Sequence, residues 1–505
     1  MERKLTIYYT SDVHGYFAPT DYAKTCPAPT GLANCMANFV RDGNTLILDG
    51  GDTLQGSPFT YWLYSRGEAP GPTLARLMNL AGYQFVTLGN HDFNYGLAQV
   101  EAYLAELDAR CLCANVQGLR HVEKTALVTL DNGLRVGLCG VITPFVPQWE
   151  KPENIQGLVF TDAFVAAREA LSDLKAQGAE LTVCLYHGGF EADLDSGAVF
   201  SESGENQGWR ICRELDYDVL LTGHQHLPVE NRQLFGTYTC QPPDKARQFV
   251  RMELSLTAAG DLQGSSRLLP AGDVTLPAAG ELLAPLEAAT SVFLDTPLGH
   301  LDTALPPAPH LEMALHGSLI ANFFNQVQLD ASGAQLSATS LANEVRGFDA
   351  QVTMRDIVAS YVFPNTLKTL RVNRRVLKSV LERSASYFTL DEYGMPHVSE
   401  SFLTPLVQHY NFDYISGVQV TADLRRPPGD RILSIRYQGE ELPEDVWLSL
   451  CLNSYRASGA GGYEAYAECP VLRERTEEIA ELIIGYVDQH RDICVDKTVW
   501  LQTLW

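Results

Sequence analysis

Five times in the first 226 residues a short apolar run ends in residues able to ligate a metal. The segments are Ile7–His14, Leu46–Asp52, Phe85–Asp92, Val183–His187 and Val219–His226. Apolar runs of this length, rich in Val, Ile and Leu, read as buried strands. In layered α/β domains strand ends converge on one edge of the sheet, where ligand sites form. The chain is thereby constrained to a fold that gathers Asp12, His14, Asp52, Asn90, His91, Asp92, His187, His224 and His226 on one edge.

Singly, each of these signals is ordinary. A strand-end Asp such as Asp52 caps a turn as readily as it binds a cation. The segment Gly89-Asn90-His91-Asp92 is more specific. The Asn90 side-chain oxygen can ligate a hard cation. His91 and Asp92 read as a proton-transfer pair in which the carboxylate fixes the imidazole tautomer. Asp12 with His14, and His224 with His226, each place two ligands on one face of a strand end. Five of the 12 histidines (14, 91, 187, 224 and 226) sit at such ends, which makes coincidence a poor explanation. Together these groups are expected to hold two divalent cations. Oxygen and imidazole donors without thiolate suit Mn, Zn, Fe, Co or Mg.

At 505 residues the chain exceeds one ordinary core, so two or more domains are expected. A net charge of −24 repels nucleic-acid backbone and anionic lipid, which excludes long polynucleotides and membrane surfaces as natural partners. No apolar run approaches the ~18 residues of a membrane span. Residues 1–4 enter a strand without a signal-peptide pattern, so a cytoplasmic protein is expected, or a periplasmic or cell-surface one if an export signal has been removed. The 11 cysteines show no CxxC spacing and read as buried reduced thiols.

Residues 1–265 alternate strands with helical patterns at Gly31–Asp42, Pro72–Ala81, Leu97–Asp108 and Asp162–Gln177, with a further strand near Leu134–Val141. That is the signature of a layered α/β domain. Residues 266–310, rich in Pro, Ala and Gly, read as a linker holding a helix at Ala279–Phe293. Residues 311–505 read as an α+β domain. Helices are expected there at His316–Gln326, Arg374–Ser386 and Glu474–Gln489. Strands are expected at Leu367–Val372, Val418–Ala422, Ile432–Tyr437 and Trp447–Leu452. Tyr410 and Tyr455 lie in its loops, where packing and the stacking of a nucleobase are both open readings; stacking is worth roughly 1–3 kcal/mol per base.

The order D-x-H, G-D, G-N-H-D, H, G-H-x-H resembles the calcineurin-like metallophosphoesterase superfamily. Asp52–Pro58 and Gly89–Gly96 are similar to its bacterial 5′-nucleotidase branch. Leu452–Gly459 and His409–Gly417 are more similar to 2′,3′-cyclic-nucleotide 2′-phosphodiesterase/3′-nucleotidases, and Phe363–Leu367 with Leu381-Glu382 to both groups. The resemblance implies a four-layer αββα phosphoesterase domain followed by a 5′-nucleotidase-type α+β domain. It implies one metal on Asp12, His14 and His226, a second on Asn90, His187 and His224, and Asp52 bridging them. His91, steadied by Asp92, would serve the leaving oxygen, and metal-activated hydroxide would attack phosphorus. Tyr410 and Tyr455 would clamp the base, and Asn453 and Arg456 would touch base or ribose. Arg346 would touch phosphate or substrate, although Glu344 and Val345 stand where the family carries glycines. His226, where some members carry Gln, favours the cyclic-phosphodiesterase branch. A 5′-nucleotidase or UDP-sugar hydrolase, a phosphoesterase acting on another ester, and a catalytically retired nucleotide-binding protein are the alternatives.

Overall fold

Alternation along the first strand sets the layering. In Arg3–Thr10, Leu5, Ile7 and Tyr9 point one way into a core that includes Leu46, Leu48, Val136, Leu138, Val183, Leu185, Val219 and Leu221. These residues come from two different sheets, so the sheets pack face to face. The computed structural model describes residues 2–24, 26–66, 70–199, 201, 203–363, 365–404 and 407–505. It divides into two compact units, Met1–Val292 and Phe293–Trp505.

In the first unit a seven-stranded sheet runs Leu262–Pro270, Gln248–Leu256, Arg3–Thr10, Thr45–Asp49, Phe85–Val86, Arg110–Leu112, Val122–Glu123. A six-stranded sheet runs Val229–Leu234, Thr237–Gln241, Val219–Thr222, Leu181–His187, Arg135–Ile142, Thr125–Thr129. The far face of the second sheet, at Cys139, Val141, Cys184, Tyr186 and Leu220, packs on Ala163, Ala167, Leu171 and Leu174 of the helix Ala163–Ala176. Residues two apart in one strand face one layer and their neighbours in sequence face the other, giving the αββα order. Within each sheet the strands that carry the candidate ligands are parallel to one another. Thr10 is level with Asp49, Asp49 with Val86, and Tyr186 with Thr222. Their carboxyl ends therefore share one edge.

The second unit holds a five-stranded sheet in the order Asp413–Ser416, Leu336–Ser340, Trp447–Asn453, Thr366–Asn373, Val471–Glu478. Leu377, Val380 and Leu381 of the helix Arg374–Ala385 join its core with Leu370, Leu450 and Leu452. Residues 266–310 contain the end of the strand Leu262–Pro270, the helix Pro277–Leu294 and the strand Pro297–Leu301.

Three helices differ from expectation. The expected His316–Gln326 starts only at Leu319, because Gly317 ends the preceding helix His310–His316 and Ser318 caps the next one, which runs to Ser332. The expected Gly31–Asp42 is helical only over Leu32–Met36, because Asn38 turns back to donate to the Asn34 carbonyl at 2.9 Å and the Ala271 carbonyl at 3.2 Å. The expected Glu474–Gln489 begins as the strand Val471–Glu478, paired with Thr366–Asn373, and is helical only over Ile479–His490. Backbone pairing with a neighbouring strand outweighs local helical preference there. All 11 cysteines are free thiols and nine are buried. Among the described residues no helix is long and apolar enough to cross a membrane.

Leu185 is fully buried between the two sheets. Leu185→Ala is expected to lower the stability of the first unit by about 2–5 kcal/mol, read as a shift of its urea midpoint.

Candidate metal centre

The candidate ligands leave their strands through unusual backbone. Asp12, His14, Asp52, His224 and His226 have φ of 55°, 49°, 56°, 71° and 58°. Left-handed conformation costs a non-glycine residue roughly 1–2 kcal/mol. It persists where surrounding structure over-determines it, and such outliers mark functional sites. The glycines beside them permit the approach. Gly51 has φ +92°, and a side chain there would overlap the Gly89 backbone. A side chain on Gly89 would in turn strike the Asp52 carboxylate. The two strand ends can close on each other only because both positions are bare.

Two sets of donors converge. Asp12, His14 and His226 offer ligand atoms within 4.8 Å of one another, and so do Asp52, His187 and His224. Hydrogen bonding fixes which nitrogen each imidazole presents. A carbonyl can only accept, so His187 Nδ1–H donates to the Gly50 carbonyl at 2.7 Å and leaves Nε2 bare. That Nε2 lies 3.1 Å from Asp52 Oδ2 and 3.2 Å from Asn90 Oδ1. His14 Nδ1–H likewise donates to the Gln55 carbonyl at 3.0 Å. Its Nε2 then faces His226 Nε2 at 3.1 Å and Asp52 Oδ2 at 3.9 Å. His226 Nε2 is also 3.3 Å from Asp12 Oδ1.

These distances set lone pair against lone pair. Asp52 Oδ2 is buried with no hydrogen donor other than a protonated imidazole, while Asp52 Oδ1 accepts the His91 backbone N–H at 2.7 Å. Burial opposes a charge on His187, yet Asp52 raises its pKa to about 10, so with no cation beside it the imidazole takes up a proton at Nε2, towards Asp52 Oδ2. Positive charge is therefore favoured where Nε2 points. Burial lowers His14 to about 4, so it stays a neutral donor at ordinary pH. A carboxylate oxygen flanked by bare imidazole nitrogens and an amide oxygen fits divalent cations.

Each remaining imidazole is backed by a carboxylate. His224 Nε2–H donates to Glu205 Oε1 at 3.0 Å, which leaves its Nδ1 free. His226 Nδ1 faces Asp244 Oδ2 at 3.9 Å. Such partners orient metal-binding imidazoles and raise their basicity. Glu205 follows no strand, and Asp244 follows the strand Thr237–Gln241, whose sequence lacks the apolar run that marks the other ligand strands.

Asp92 corrects the sequence reading. It does not pair with the His91 ring. Its Oδ1 accepts the backbone N–H of Thr53 and Leu54, both at 2.8 Å. Its Oδ2 accepts those of Asp52 at 3.0 Å and Gly89 at 2.8 Å. Burial and the nearby Asp52 charge raise its pKa to about 6, against the pull of those amides. Consecutive residues of the tight turn His91–Phe93 point in different directions, so Asp92 fastens the Asp52 loop while His91 faces His14, ring centroids 5.3 Å apart. The His91 ring meets Asn94 Oδ1 at 2.7 Å instead.

In the second unit the expected substrate residues divide. Tyr410 is half-buried and Tyr455 is 43% exposed. Burial and Tyr455 raise the Tyr410 hydroxyl, so the two tyrosines are neighbours. Phe363 joins them, its ring centroid 6.3 Å from that of Tyr410, while Pro364 of the same motif lies outside the described residues. Arg346 is exposed, on a loop that Asn343 ties to the Tyr410 loop by accepting the His409 N–H at 2.9 Å and donating to the Val407 carbonyl at 2.8 Å. Asn453 and Arg456, expected to touch base or ribose, are internal. Asn453 caps the helix Ser454–Ala457 by accepting the Arg456 N–H at 2.7 Å. Arg456 is 1% exposed and donates to Asp413 at 2.9 Å, Ala460 O at 2.7 Å and Tyr410 O at 2.9 Å. A buried guanidinium must be paired, and these partners make it a strut beneath the Tyr410 loop.

Two facing sheets whose strand ends deliver such a donor set define a metallophosphoesterase. Residues 5–228 match the family model for calcineurin-like phosphoesterases, and residues 297–468 that for the 5′-nucleotidase C-terminal domain. The putative 5′-nucleotidase of Staphylococcus aureus, a crystal structure, is 33% identical, with a TM-score of 0.73 over 99% of this chain and 100% of that one. The 2′,3′-cyclic-nucleotide 2′-phosphodiesterase/3′-nucleotidase of Haemophilus influenzae is 25% identical over 96% of this chain and 84% of that protein. A trifunctional nucleotide phosphoesterase of Bacillus subtilis is 23% identical over 97% of this chain and 38% of that protein. The chain belongs to the calcineurin-like metallophosphoesterase superfamily, in its bacterial 5′-nucleotidase/2′,3′-cyclic-nucleotide 2′-phosphodiesterase family, and is a hydrolase of phosphoester bonds.

Asp92→Asn keeps the shape but leaves an N–H group facing backbone N–H donors. It is expected to destabilise the first unit by about 2–4 kcal/mol and to weaken metal retention, as measured by thermal unfolding and by elemental analysis after dialysis.

Proposed function

We propose that this enzyme hydrolyses small nucleotide phosphoesters, with 2′,3′-cyclic nucleotides and 3′-nucleotides preferred. The observation that carries the reading is Asp52 Oδ2, buried among inward-facing imidazole nitrogens with no other hydrogen donor. Asp12, His14 and His226 would hold one divalent cation, Asn90, His187 and His224 the other, and Asp52 both. When bound, the two cations supply Lewis-acid polarisation of the phosphoryl oxygens and a water acidic enough to attack at neutral pH. The protein contributes orientation. Gly50 and Gln55 carbonyls hold two imidazoles in one tautomer, and Asp92 holds the Asp52 loop. His91, through Nε2, would protonate the departing nucleoside oxygen. Tyr410 and Tyr455 would stack the base.

The preference for the 2′,3′-cyclic substrate is supported by relatives of that name in Haemophilus influenzae, Salmonella typhimurium and Yersinia enterocolitica, 23–25% identical over at least 90% of this chain. A 5′-nucleotidase reading has its own support in the Staphylococcus aureus structure at 33% identity. The intact donor set argues against a retired, binding-only protein.

A panel of 2′,3′-cAMP, 3′-AMP, 5′-AMP and UDP-glucose with added manganese tests the preference. The highest kcat/KM is expected for 2′,3′-cAMP, and turnover of 5′-AMP alone would overturn it. Exhaustive chelation is expected to abolish turnover and manganese to restore it; full activity in metal-free protein defeats the reading altogether. Tyr410→Ala should raise KM for nucleotides about 10-fold, the loss of roughly one stacked base, with kcat kept.

A further inference from the structure

Beneath His91 runs a chain of polar groups that the proposed mechanism does not use. His91 Nδ1 meets Asn94 Oδ1 at 2.7 Å, and Asn94 Nδ2 meets Glu150 Oε2 at 2.6 Å. Glu150 is 8% exposed. Its Oε1 accepts Lys151 N–H at 2.7 Å and Asn154 Nδ2–H at 2.9 Å, and Asn154 also donates to the Asn94 carbonyl at 3.0 Å. The preceding residue, Trp149, stacks on His224, ring centroids 5.5 Å apart and planes at 23°. One short turn, Val146–Trp149 with Glu150 at its end, therefore touches both a candidate metal ligand and the partner of His91.

We infer that Glu150, acting through Asn94, is a positioning residue that fixes the tautomer of His91; this rests on the leaving-group role proposed above for His91. The logic is one of donors and acceptors. A carboxylate only accepts, so Glu150 forces the Asn94 amide nitrogen towards itself and the Asn94 oxygen towards His91. That oxygen also only accepts, so His91 must carry hydrogen on Nδ1. Nε2 is then the nitrogen that exchanges a proton with the departing oxygen. The substitution E150Q keeps the shape but can present either end of an amide. It removes the constraint, and Asn94 can flip to offer its own amide nitrogen to Nδ1.

The test uses the full chain loaded with manganese, comparing the parent with E150Q, N94D, N94D/E150Q and H91A. Substrates are 2′,3′-cAMP, whose alkoxide leaving group needs a proton, and bis(p-nitrophenyl) phosphate, whose phenolate does not. E150Q is expected to lower kcat on 2′,3′-cAMP about 10-fold or more, a fraction of what a general acid contributes, with KM and bound manganese unchanged. Its loss on bis(p-nitrophenyl) phosphate should stay within about 3-fold. N94D alone sets two carboxylates face to face and should be impaired. In N94D/E150Q the introduced carboxylate accepts from His91 Nδ1 while the introduced amide donates to that carboxylate, so turnover of 2′,3′-cAMP should largely return. If H91A loses turnover of 2′,3′-cAMP while E150Q keeps it, the positioning role is wrong and His91 stands. Equal losses on both substrates with falling metal content would make Glu150 structural and overturn the inference. If H91A keeps full turnover, the reading of His91 falls and this inference with it.

Discussion

A buried carboxylate oxygen hemmed in by imidazole nitrogens organises the first unit. Asp52 Oδ2 sits beside Nε2 of His187 and Nε2 of His14, with the Asn90 oxygen close behind. In a low-dielectric interior such an assembly repels itself unless positive charge is supplied. Much of the nearby structure can be understood as the scaffold that keeps it assembled. Five of the 12 non-glycine residues with left-handed backbone among the described residues are candidate ligands. Their strain is held by parallel strands ending at one level, by paired glycines, and by Asp92, which collects four backbone N–H groups.

The second unit uses buried polarity differently. Arg456 is paired with Asp413, burial and this ion pair pulling in opposite directions on both groups. A buried ion pair of this kind adds little net stability but fails badly if one partner is removed. Here it ties Tyr410 O and Ala460 O to one rigid centre, so the tyrosine loop is supported from beneath. Support and exposure are thus divided between neighbours: Arg456 is internal and Tyr455, one residue earlier, faces solvent.

The candidate ligands are legible in the sequence because each follows an apolar strand within a few residues, and strand ends in such a fold share an edge. The layered order of the first unit follows from the same alternation. Pairings between distant segments are not legible. Glu205 reaches His224 across 19 residues and Glu150 reaches Asn94 across 56, and neither carboxylate lies in a recognisable pattern. Asp92 misleads because adjacency in the chain suggests contact in space. Arg456 and Asn453 look like surface groups because Asp413, the partner that buries Arg456, lies 43 residues upstream. The strand Val471–Glu478 is hidden because its many charged side chains suit an edge strand and an exposed helix alike.

The imidazoles differ in what stands behind them. Gly50 and Gln55 hold His187 and His14 through peptide carbonyls, which no amino-acid replacement deletes. Glu205 and Asp244 stand behind His224 and His226 through side chains, which a single codon can change. Evolutionary adjustment of metal choice and affinity is therefore open on one flank of the centre and closed on the other. Drift among descendants of this enzyme should concentrate behind the Gly223–His226 turn, leaving the Gly50 and Gln55 anchors untouched.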